Sequence, residues 1–326
     1  MKPKLVVILS EQWTLVDPRA FDALVAMAVE VEAAGADAVM LSEHLVLGPG
    51  AASEGVMGNP RDYALPGNQD PAMPWPSSIV LLSAMAAATT RIRLAAAAII
   101  APLRHPLLLA KELATLDLLS RGRLVVLPTV SWHRDEYAAL GVPFERRGVL
   151  LDEHLAAWSV LWRDSPASFQ GEHYRFDDVW LEPKPWRPDG PRLWFGGSSI
   201  HPRLVERLVR HGHGFNPLGR VTDDDLQRIA DAMRAAGRDP AALELVGGMR
   251  GVFADDDRPS DLEPALAAVP PQLEQGYASF CFKPSQFTDD PAEVGPLVAE
   301  VNARLVKLAA RPRPRASRAP RAGCSR

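Results

Sequence analysis

The stretch Asp37-Ala38-Val39-Met40-Leu41-Ser42-Glu43-His44 is a short apolar run that ends in a serine, an acid and an imidazole. This pattern is typical of a buried strand whose last residues reach a functional surface. Eight times along the chain such an apolar run is followed by an amphipathic stretch. Alternating strands and helices predict a parallel sheet of the α/β class. Because there are eight pairs and no dinucleotide-binding fingerprint, the sequence favours a single (β/α)8 TIM barrel over a doubly wound sheet.

The predicted barrel has loop insertions after strands 2 and 4 and a β-hairpin-like excursion before strand 5. The excursion, residues 168–181, alternates apolar and polar side chains, as hairpin strands do. The eight strands are predicted at 5–10, 38–42, 92–100, 123–127, 192–195, 214–216, 243–253 and 279–282. The helices that follow them are predicted at 18–34, 78–88, 106–118, 148–162, 202–211, 223–236, 260–275 and 291–309.

The composition is that of a soluble globular protein, since 47% of the 326 residues are hydrophobic and 23% are charged. No apolar run approaches the ~20 residues that cross a bilayer, so no membrane association is expected. The apolar N-terminal run is followed at once by Glu11 and Asp17. We therefore interpret it as the first strand of a cytoplasmic protein and not as a secretion signal. Cys281 and Cys324 are too few for a disulfide framework and lie in no metal-spaced cluster, so no metal is expected.

The C-terminal residues differ sharply in composition from the rest of the chain. Residues 311–326 contain six arginines and no acid. With so little apolar surface, this segment is predicted to be a disordered basic tail, following a barrel domain of residues 1–310. The tail has no aromatic residues and the net charge of the whole chain is −4. A small-molecule substrate is therefore expected as the partner, and nucleic acid is not.

Three titratable residues follow adjacent predicted strands. Glu11 comes after strand 1, and Glu43 and His44 come after strand 2. Barrel enzymes form their active sites at the C-terminal ends of the strands, so these three residues are candidate catalytic groups. Histidine exchanges protons near neutral pH, which makes His44 the natural acid or base. The alternative is that all three are solvated loop residues.

The turn Gly196-Gly197-Ser198-Ser199 closes predicted strand 5 and leads into a helix. Two glycines allow a ligand to approach the backbone closely, and a helix N-terminus presents free N–H groups to an anion. The turn is therefore a candidate phosphate site, the alternative being an ordinary turn with a serine cap. Neither a Walker A motif nor a Rossmann glycine motif accompanies it, which argues against a nucleoside triphosphate.

Three tryptophans lie in loops that share the top of the predicted barrel. Trp13, Trp75 and Trp132 follow strands 1, 2 and 4 respectively. A pocket lined by tryptophan suits a flat aromatic or an apolar ligand. These residues are therefore the candidate substrate pocket.

Several motifs resemble those of luciferase-like monooxygenases, in detail over residues 4–217 and in outline over the last third. The most specific is Leu116-Asp117-Leu118-Leu119-Ser120-Arg121-Gly122-Arg123, between predicted helix 3 and strand 4. The other matching motifs are Pro-Leu-Arg-His-Pro at 102–106, Phe-Glu-Arg-Arg-Gly at 144–148, Asp-Glu at 152–153, Pro-Lys-Pro at 183–185 and Trp-Phe-Gly-Gly at 194–197. Overall, the pattern is most similar to the branch that depends on the deazaflavin coenzyme F420.

The resemblance implies a barrel with a flavin or deazaflavin lying across its top. It implies that the phosphate-bearing tail of the cofactor reaches the turn at 196–199 and that His44 lies close to the reactive ring. It also implies that Ala98, Ile99 and Thr129 border the cofactor, with a non-prolyl cis peptide at the Ala98–Ile99 bond.

One segment departs from the family pattern. A glycine-rich loop usually follows strand 4, whereas this chain has Leu127-Pro128-Thr129-Val130-Ser131-Trp132. Glycines let the backbone approach a ligand closely, so their loss implies a narrower or shifted cofactor site.

Three functions remain open at this point. The first is an oxidoreductase that transfers a hydride between reduced coenzyme F420 and a small apolar or aromatic substrate, with His44 and Glu11 assisting proton transfer. The second is an FMN-dependent monooxygenase that uses molecular oxygen and reduced flavin from a flavin reductase, and the third is a non-catalytic flavin-binding barrel. Arg203, the cation nearest the 196–199 turn in sequence, lies one turn into the helix, which favours the phosphodiester of F420 over the phosphate dianion of FMN. We expect a homodimer.

Overall fold

Eight parallel strands close into a barrel in the computed structural model, which describes residues 2–253 and 258–310. In chain order the strands are β1 (Lys4–Ile8), β2 (Ala38–Leu41), β3 (Arg93–Ile100), β4 (Leu124–Thr129), β5 (Ala167–Gln170), β6 (Arg175–Val179), β7 (Arg192–Phe195), β8 (Gly214–Phe215), β9 (Glu244–Met249) and β10 (Ser279–Phe282). β5 and β6 form a separate antiparallel hairpin, and the others pair in the order β1-β2-β3-β4-β7-β8-β9-β10 and back to β1. The predicted barrel and the predicted hairpin are both confirmed.

Helices connect successive barrel strands, as a right-handed parallel barrel requires. Within the described ranges they are α1 (Phe21–Ala33), α2 (Ser78–Ala88), α3 (Pro106–Leu119), α4 (Arg134–Ala139), α5 (Arg147–Arg163), α6 (Pro202–His211), α7 (Asp223–Ala235), α8 (Leu262–Ala267), α9 (Val269–Glu274) and α10 (Val294–Ala309). No helix in this part of the chain is long and apolar enough to cross a bilayer.

The barrel strands bury both of their faces, but against different neighbours. In β1, Val6 and Ile8 point into the barrel, whereas Leu5 and Val7 pack in the layer between sheet and helices, because successive strand residues face opposite sides. The other buried residues of the interior cluster are Ala38, Met40, Ala95, Ala97, Val125, Leu127, Trp194, Val246 and Cys281. Since these side chains fill the interior, a ligand has to bind at the mouth of the barrel and not along its axis.

A charged cluster lies at the N-terminal end of the barrel. Glu244 accepts hydrogen bonds from both terminal nitrogens of Arg93, at 2.9 and 3.0 Å, from Lys4 at 3.1 Å and from the Ser279 hydroxyl at 2.5 Å. Burial alone would raise the pKa of Glu244, but Arg93 and these other partners lower it to about 2. The cluster is therefore an ionised, stabilising feature at the end of the barrel opposite the candidate site.

Three predictions about the elements were wrong. The non-prolyl cis peptide is Ala97–Ala98 and not Ala98–Ile99, because the register of β3 against β4 shifts between Ala97 and Ile99 and leaves Ala98 outside the pairing. The predicted helix at 260–275 is divided into α8 and α9, since Pro270 and Pro271 lack the N–H that would continue the first helix.

The predicted strand at 243–253 ends early, at Met249. After Met249, backbone N–H groups donate hydrogen bonds to side chains and not to a neighbouring strand. The N–H of Gly251 donates to Gln286 at 2.9 Å and that of Val252 to Ser260 at 2.8 Å. The predicted basic tail, residues 311–326, lies outside the described residues.

Candidate active site

His44 is held by a buried carboxylate that follows β4. The imidazole Nδ1 lies 3.3 Å from Oε2 of Glu136, and the other oxygen of Glu136 accepts the Leu45 N–H at 2.5 Å. Glu136 belongs to α4 and is completely buried, whereas His44 is 8% exposed. A carboxylate accepts only, so Nδ1 carries the hydrogen and Nε2 is the nitrogen available to a ligand. The Gln69 side-chain nitrogen lies 3.5 Å from that Nε2.

Sequence reasoning missed Glu136 because residues 132–147 were interpreted as loop. The stretch in fact contains the short helix α4, with Glu136 and Tyr137 on its buried side. The Tyr137 hydroxyl donates to the Val130 carbonyl at 2.5 Å, which ties this helix to the end of β4. A signal was present, because His133, Asp135 and Glu136 follow a barrel strand within seven residues, much as Glu11 and His44 follow theirs.

The three candidate tryptophans lie around His44. Trp75 contacts the His44 ring edge-on at 5.1 Å between centroids, and Trp132 does so at 5.8 Å. Trp13 in turn packs edge-on against Trp75 at 5.8 Å. The predicted pocket residues therefore form one continuous aromatic row, Trp13–Trp75–His44–Trp132, with the imidazole inside it. We call this the aromatic row.

Glu11 is paired with a lysine that sequence reasoning did not select. Its Oε2 lies 3.4 Å from Nζ of Lys283, which directly follows β10, and its Oε1 accepts the Ala64 N–H at 3.2 Å. Burial raises the pKa of Glu11 against the opposing charge of Lys283. Burial likewise lowers the pKa of Lys283, which is completely buried. The two groups thus form a desolvated acid–base pair beside the aromatic row.

Glu43 has a different environment from the other two candidates. Its carboxylate receives both terminal nitrogens of Arg104 at 2.7 and 2.9 Å, the Ile100 N–H at 2.9 Å and the Ser78 hydroxyl at 3.0 Å. It is completely buried and faces β3 and α2, while the neighbouring His44 faces α4. Glu43 and His44 therefore contact different elements on opposite sides of the end of β2.

The turn at 196–199 leaves backbone donors free. Within the described residues, the N–H groups of Gly197, Ser198 and Ser199 donate no hydrogen bond. A Cβ at Gly196 would lie 1.9 Å from the Asn216 carbonyl oxygen, whereas one at Gly197 would meet nothing closer than 3.7 Å. Gly196 is thus required for packing, and Gly197 faces open space. Free amides beside an open glycine, ahead of helix α6, fit a phosphate group.

The cations around this turn are arranged differently from the expectation based on sequence. The Arg203 guanidinium lies towards α5, with Nη1 3.2 Å from where a Cβ of Gly148 would be. Instead, the loop after β8 packs on the turn, because the Leu218 N–H donates to the Gly197 carbonyl at 3.0 Å. That loop continues into Arg220, which is exposed.

The other predicted cofactor contacts separate into two groups. Ala98, part of the β3 bulge, packs against the interior cluster and is partly exposed, and Thr129 is partly exposed at the end of β4. The Ile99 side chain, by contrast, is completely buried in the layer between sheet and helices. The whole residue is 0% exposed, so in this structure it presents no surface to a cofactor. No cluster of metal-ligating side chains is present in the described ranges.

The chain matches the family of luciferase-like monooxygenases over residues 4–293. A curated relative, the FMNH2-dependent dimethylsulfone monooxygenase of Pseudomonas putida, is 35% identical over 209 residues, covering 62% of this chain and 56% of that protein. The chain spans about half the length of the curated relatives it matches.

Two solved structures share the fold. The oxygenating constituent of 3,6-diketocamphane monooxygenase from Pseudomonas putida, in complex with FMN, has a TM-score of 0.70, covering 94% of this chain and 98% of that chain at 16% identity. An F420-dependent secondary alcohol dehydrogenase in complex with an F420–acetone adduct has a TM-score of 0.67, covering 94% and 99% at 16% identity. At these identities the likeness concerns the fold alone.

Proposed function

Because this chain belongs to the luciferase-like monooxygenase family, a family of flavin- or F420-dependent oxidoreductases and monooxygenases, we propose that it is an oxidoreductase that uses coenzyme F420. Its reaction transfers a hydride between the reduced deazaflavin and a small apolar or aromatic substrate. The observation that carries the proposal is the His44–Glu136 pair, with Nδ1 and carboxylate 3.3 Å apart inside the aromatic row. This pair provides an oriented imidazole, whose Nε2 can exchange a proton with a ligand beside an apolar surface at the barrel mouth.

The turn at 196–199 is the part of the chain that would hold the phosphodiester of the cofactor. Its free amides present partial positive charge, which suits a singly charged group. Ala98 and Thr129 would border the ring. When bound, the deazaflavin supplies or accepts the hydride, while the protein orients the reactants and excludes water.

Each candidate side chain then has a distinct role. His44 exchanges a proton with the substrate through Nε2, and Glu136 keeps the imidazole in the required tautomer. Glu11 and Lys283 form a buried acid–base pair behind the row, so Glu11 assists proton transfer from a desolvated position. Glu43 makes four hydrogen bonds to strand-end and helix groups, and we assign it to positioning His44 instead of to catalysis.

The proposal is tested by oxidation of reduced F420 with a panel of small apolar ketones and aldehydes. We expect at least one to support turnover in wild type, and His44→Gln to lower that rate by about 10²–10⁴-fold, as loss of a positioned acid does. Glu145→Gln is the matched control, because Glu145 is exposed and pairs with Arg134, the first residue of α4. Equal rates in wild type and His44→Gln would contradict the role of His44.

The second candidate function is an FMN-dependent monooxygenase that receives reduced flavin from a reductase. One structural observation favours it. The loop carrying Arg220 packs on the phosphate turn, and an arginine there could pair with the phosphate dianion of FMN. In the same assay, oxygen consumption with reduced FMN and no turnover with F420 would favour this second function.

A further inference from the structure

The side chain of Gln69 lies against the nitrogen of His44 that is assigned to proton exchange. Nε2 of Gln69 is 3.5 Å from Nε2 of His44, while Nδ1 of the same imidazole lies 3.3 Å from the Glu136 carboxylate. Gln69 is 3% exposed, so its amide is largely removed from water. The imidazole is therefore contacted at both nitrogens, by a carboxylate at Nδ1 and by an amide at Nε2.

A short turn in the loop after β2 holds Gln69 in this position. The Asn68 N–H donates to the Leu65 carbonyl at 3.3 Å, and the Asn68 side chain accepts from the Leu65 N–H at 2.7 Å. The backbone N–H of Gln69 itself donates to the Ala51 carbonyl at 2.8 Å. The loop that begins at His44 thus returns to it and places an amide beside the ring.

The Leu65 carbonyl determines the orientation of this amide. Nε2 of Gln69 lies 3.4 Å from the carbonyl oxygen, and since that oxygen can only accept, the amide nitrogen and not the amide oxygen must face it. Within the described residues, Oε1 of Gln69 is buried and accepts no hydrogen bond. The NH2 group is therefore the part of the amide that faces both Leu65 and His44.

A donor at Nε2 favours the neutral imidazole. With its hydrogen on Nδ1, His44 has a lone pair on Nε2 that accepts from the Gln69 amide. A proton on Nε2 would instead place two N–H groups against each other. Turning the amide to avoid this would set its oxygen against the Leu65 carbonyl, which is also unfavourable.

The charged groups near the ring act in the opposite direction. The Glu136 carboxylate at Nδ1 and the Glu11 carboxylate, which interacts electrostatically with His44, both favour an imidazolium. The ring of His133, 6.2 Å away between centroids, stays neutral at pH 7, since burial lowers its pKa. Against the two carboxylates, the amide of Gln69 opposes protonation of Nε2.

We propose that Gln69 is a positioning residue that keeps His44 neutral, with the lone pair on Nε2, until a substrate replaces the amide at that nitrogen. This inference rests on the role that the proposed function gives to His44. At 3.5 Å the contact is at the long end of the hydrogen-bond range, so a substrate hydroxyl that donates at a shorter distance displaces it.

The two directions of the proposed reaction then differ in what they require of His44. When a hydroxyl substrate is oxidised, its O–H proton passes to the neutral Nε2, while its carbon gives a hydride, with both electrons, to the oxidised deazaflavin. When a carbonyl substrate is reduced, its oxygen takes a proton from Nε2, so the imidazole has to be protonated beforehand. Loss of Gln69 should therefore extend carbonyl reduction to higher pH.

The protonation of His44 is measured directly by nitrogen NMR of the histidine-labelled protein, without cofactor or substrate, and its signals are assigned by their absence in His44→Gln. We expect the wild-type imidazole to be neutral at pH 8, with its hydrogen on Nδ1. In Gln69→Leu the midpoint of protonation should rise by about one pH unit, the tenfold effect of one lost hydrogen bond. Gln69→Glu, which presents an acceptor to Nε2, should raise it further. Gln227→Leu is the matched control, because Gln227 is exposed on α7 and bonds Asp231 there.

The inference is overturned if Gln69→Leu titrates at the same pH as wild type, if the midpoint falls in either variant, or if the neutral wild-type ring carries its hydrogen on Nε2. Each variant is a sufficient test if the other does not fold. In turnover, the pH at which carbonyl reduction is half-maximal should rise by the same amount in Gln69→Leu, and an unmoved profile would contradict the catalytic role of Gln69. Failure of the proposed function is distinct, because it appears in wild type as the absence of F420 binding, while the NMR titration still compares the variants.

Discussion

Glu136 orients the imidazole of His44 through Nδ1. Among the individual residues of the site, this pair matters most for the proposed chemistry. The pair joins the end of β2 to the helix α4 through one hydrogen bond. Because His44 is only 8% exposed, replacing it also removes packing against Trp75 and Trp132. A substitution of Glu136 tests the orientation of the imidazole without removing its packing, since Glu136 does not line the aromatic row.

We predict that Glu136→Gln lowers turnover by about 10²–10⁴-fold, because an amide no longer fixes the Nδ1 tautomer. The affinity for the cofactor should be unchanged, since the carboxylate of Glu136 contacts His44, Leu45 and Ser131 and not the 196–199 turn. The measurement is a steady-state rate together with a cofactor titration, with Glu145→Gln as control. A variant with full activity would show that the carboxylate only supports the loop.

The phosphate turn allows a test that separates charge from size. Gly197→Ala should bind F420 as wild type does, because a Cβ there meets nothing closer than 3.7 Å. Gly197→Asp should weaken binding more than about tenfold, since a carboxylate would compete with the phosphate for the same amides. The titration is the same for both variants. Equal affinity in both would place the phosphate elsewhere.

At the scale of elements, the ends of the strands determine which predictions from sequence succeeded. Polar residues that follow barrel strands lie together at the C-terminal end of the barrel. This rule correctly predicted that Glu11 and His44 lie at the same mouth of the barrel. The same rule applies to Lys283, directly after β10, which was overlooked because a single lysine in sequence does not reveal its burial. Glu136 was missed for another reason. The helix that carries it, α4, has six residues, too few for apolar periodicity to be recognised.

Glu43 shows why residues adjacent in sequence can differ in role. Its four hydrogen bonds connect β2 to Arg104, to the end of β3 and to α2. No local pattern could distinguish this carboxylate from a catalytic one, because its partners lie 35 to 61 residues away.

We predict that Glu43→Ala destabilises the fold by about 3–5 kcal/mol, because Arg104 is left with an uncompensated buried charge. The urea midpoint of unfolding measures this effect. The matched control is Asp164→Ala, which removes the carboxylate of an exposed pair with Arg163 and should leave the midpoint unchanged. A similar midpoint for Glu43→Ala and wild type would contradict a structural role for Glu43.

At the scale of the whole molecule, the two ends of the barrel carry different kinds of charged groups. The N-terminal end holds the ionised Glu244 cluster, in which every charge is paired, while the C-terminal end holds the desolvated Glu11–Lys283 pair and the aromatic row. This division follows the general rule for the fold, in which one end serves stability and the other function.

The Glu244 cluster predicts that the free energy of unfolding decreases as the pH is lowered. Its carboxyl has a pKa of about 2 when folded, below the ordinary value of 4.5, so its contribution is complete above pH 4.5 and is lost as the pH falls towards 2. Glu244→Gln should be less stable than wild type at pH 7, and the difference should shrink in acid. Urea midpoints between these values measure it. A difference that is constant with pH would contradict the assignment.

The measurement that most directly tests the central claim is an equilibrium titration of tryptophan fluorescence with coenzyme F420 and, separately, with FMN. Trp13, Trp75 and Trp132 lie in the aromatic row, so a ring bound at the barrel mouth should quench their emission. We predict quenching by F420 at micromolar concentrations, weaker binding of FMN, and loss of the F420 response in Gly197→Asp. Tight binding of FMN with no response to F420 would contradict the account and favour the monooxygenase function.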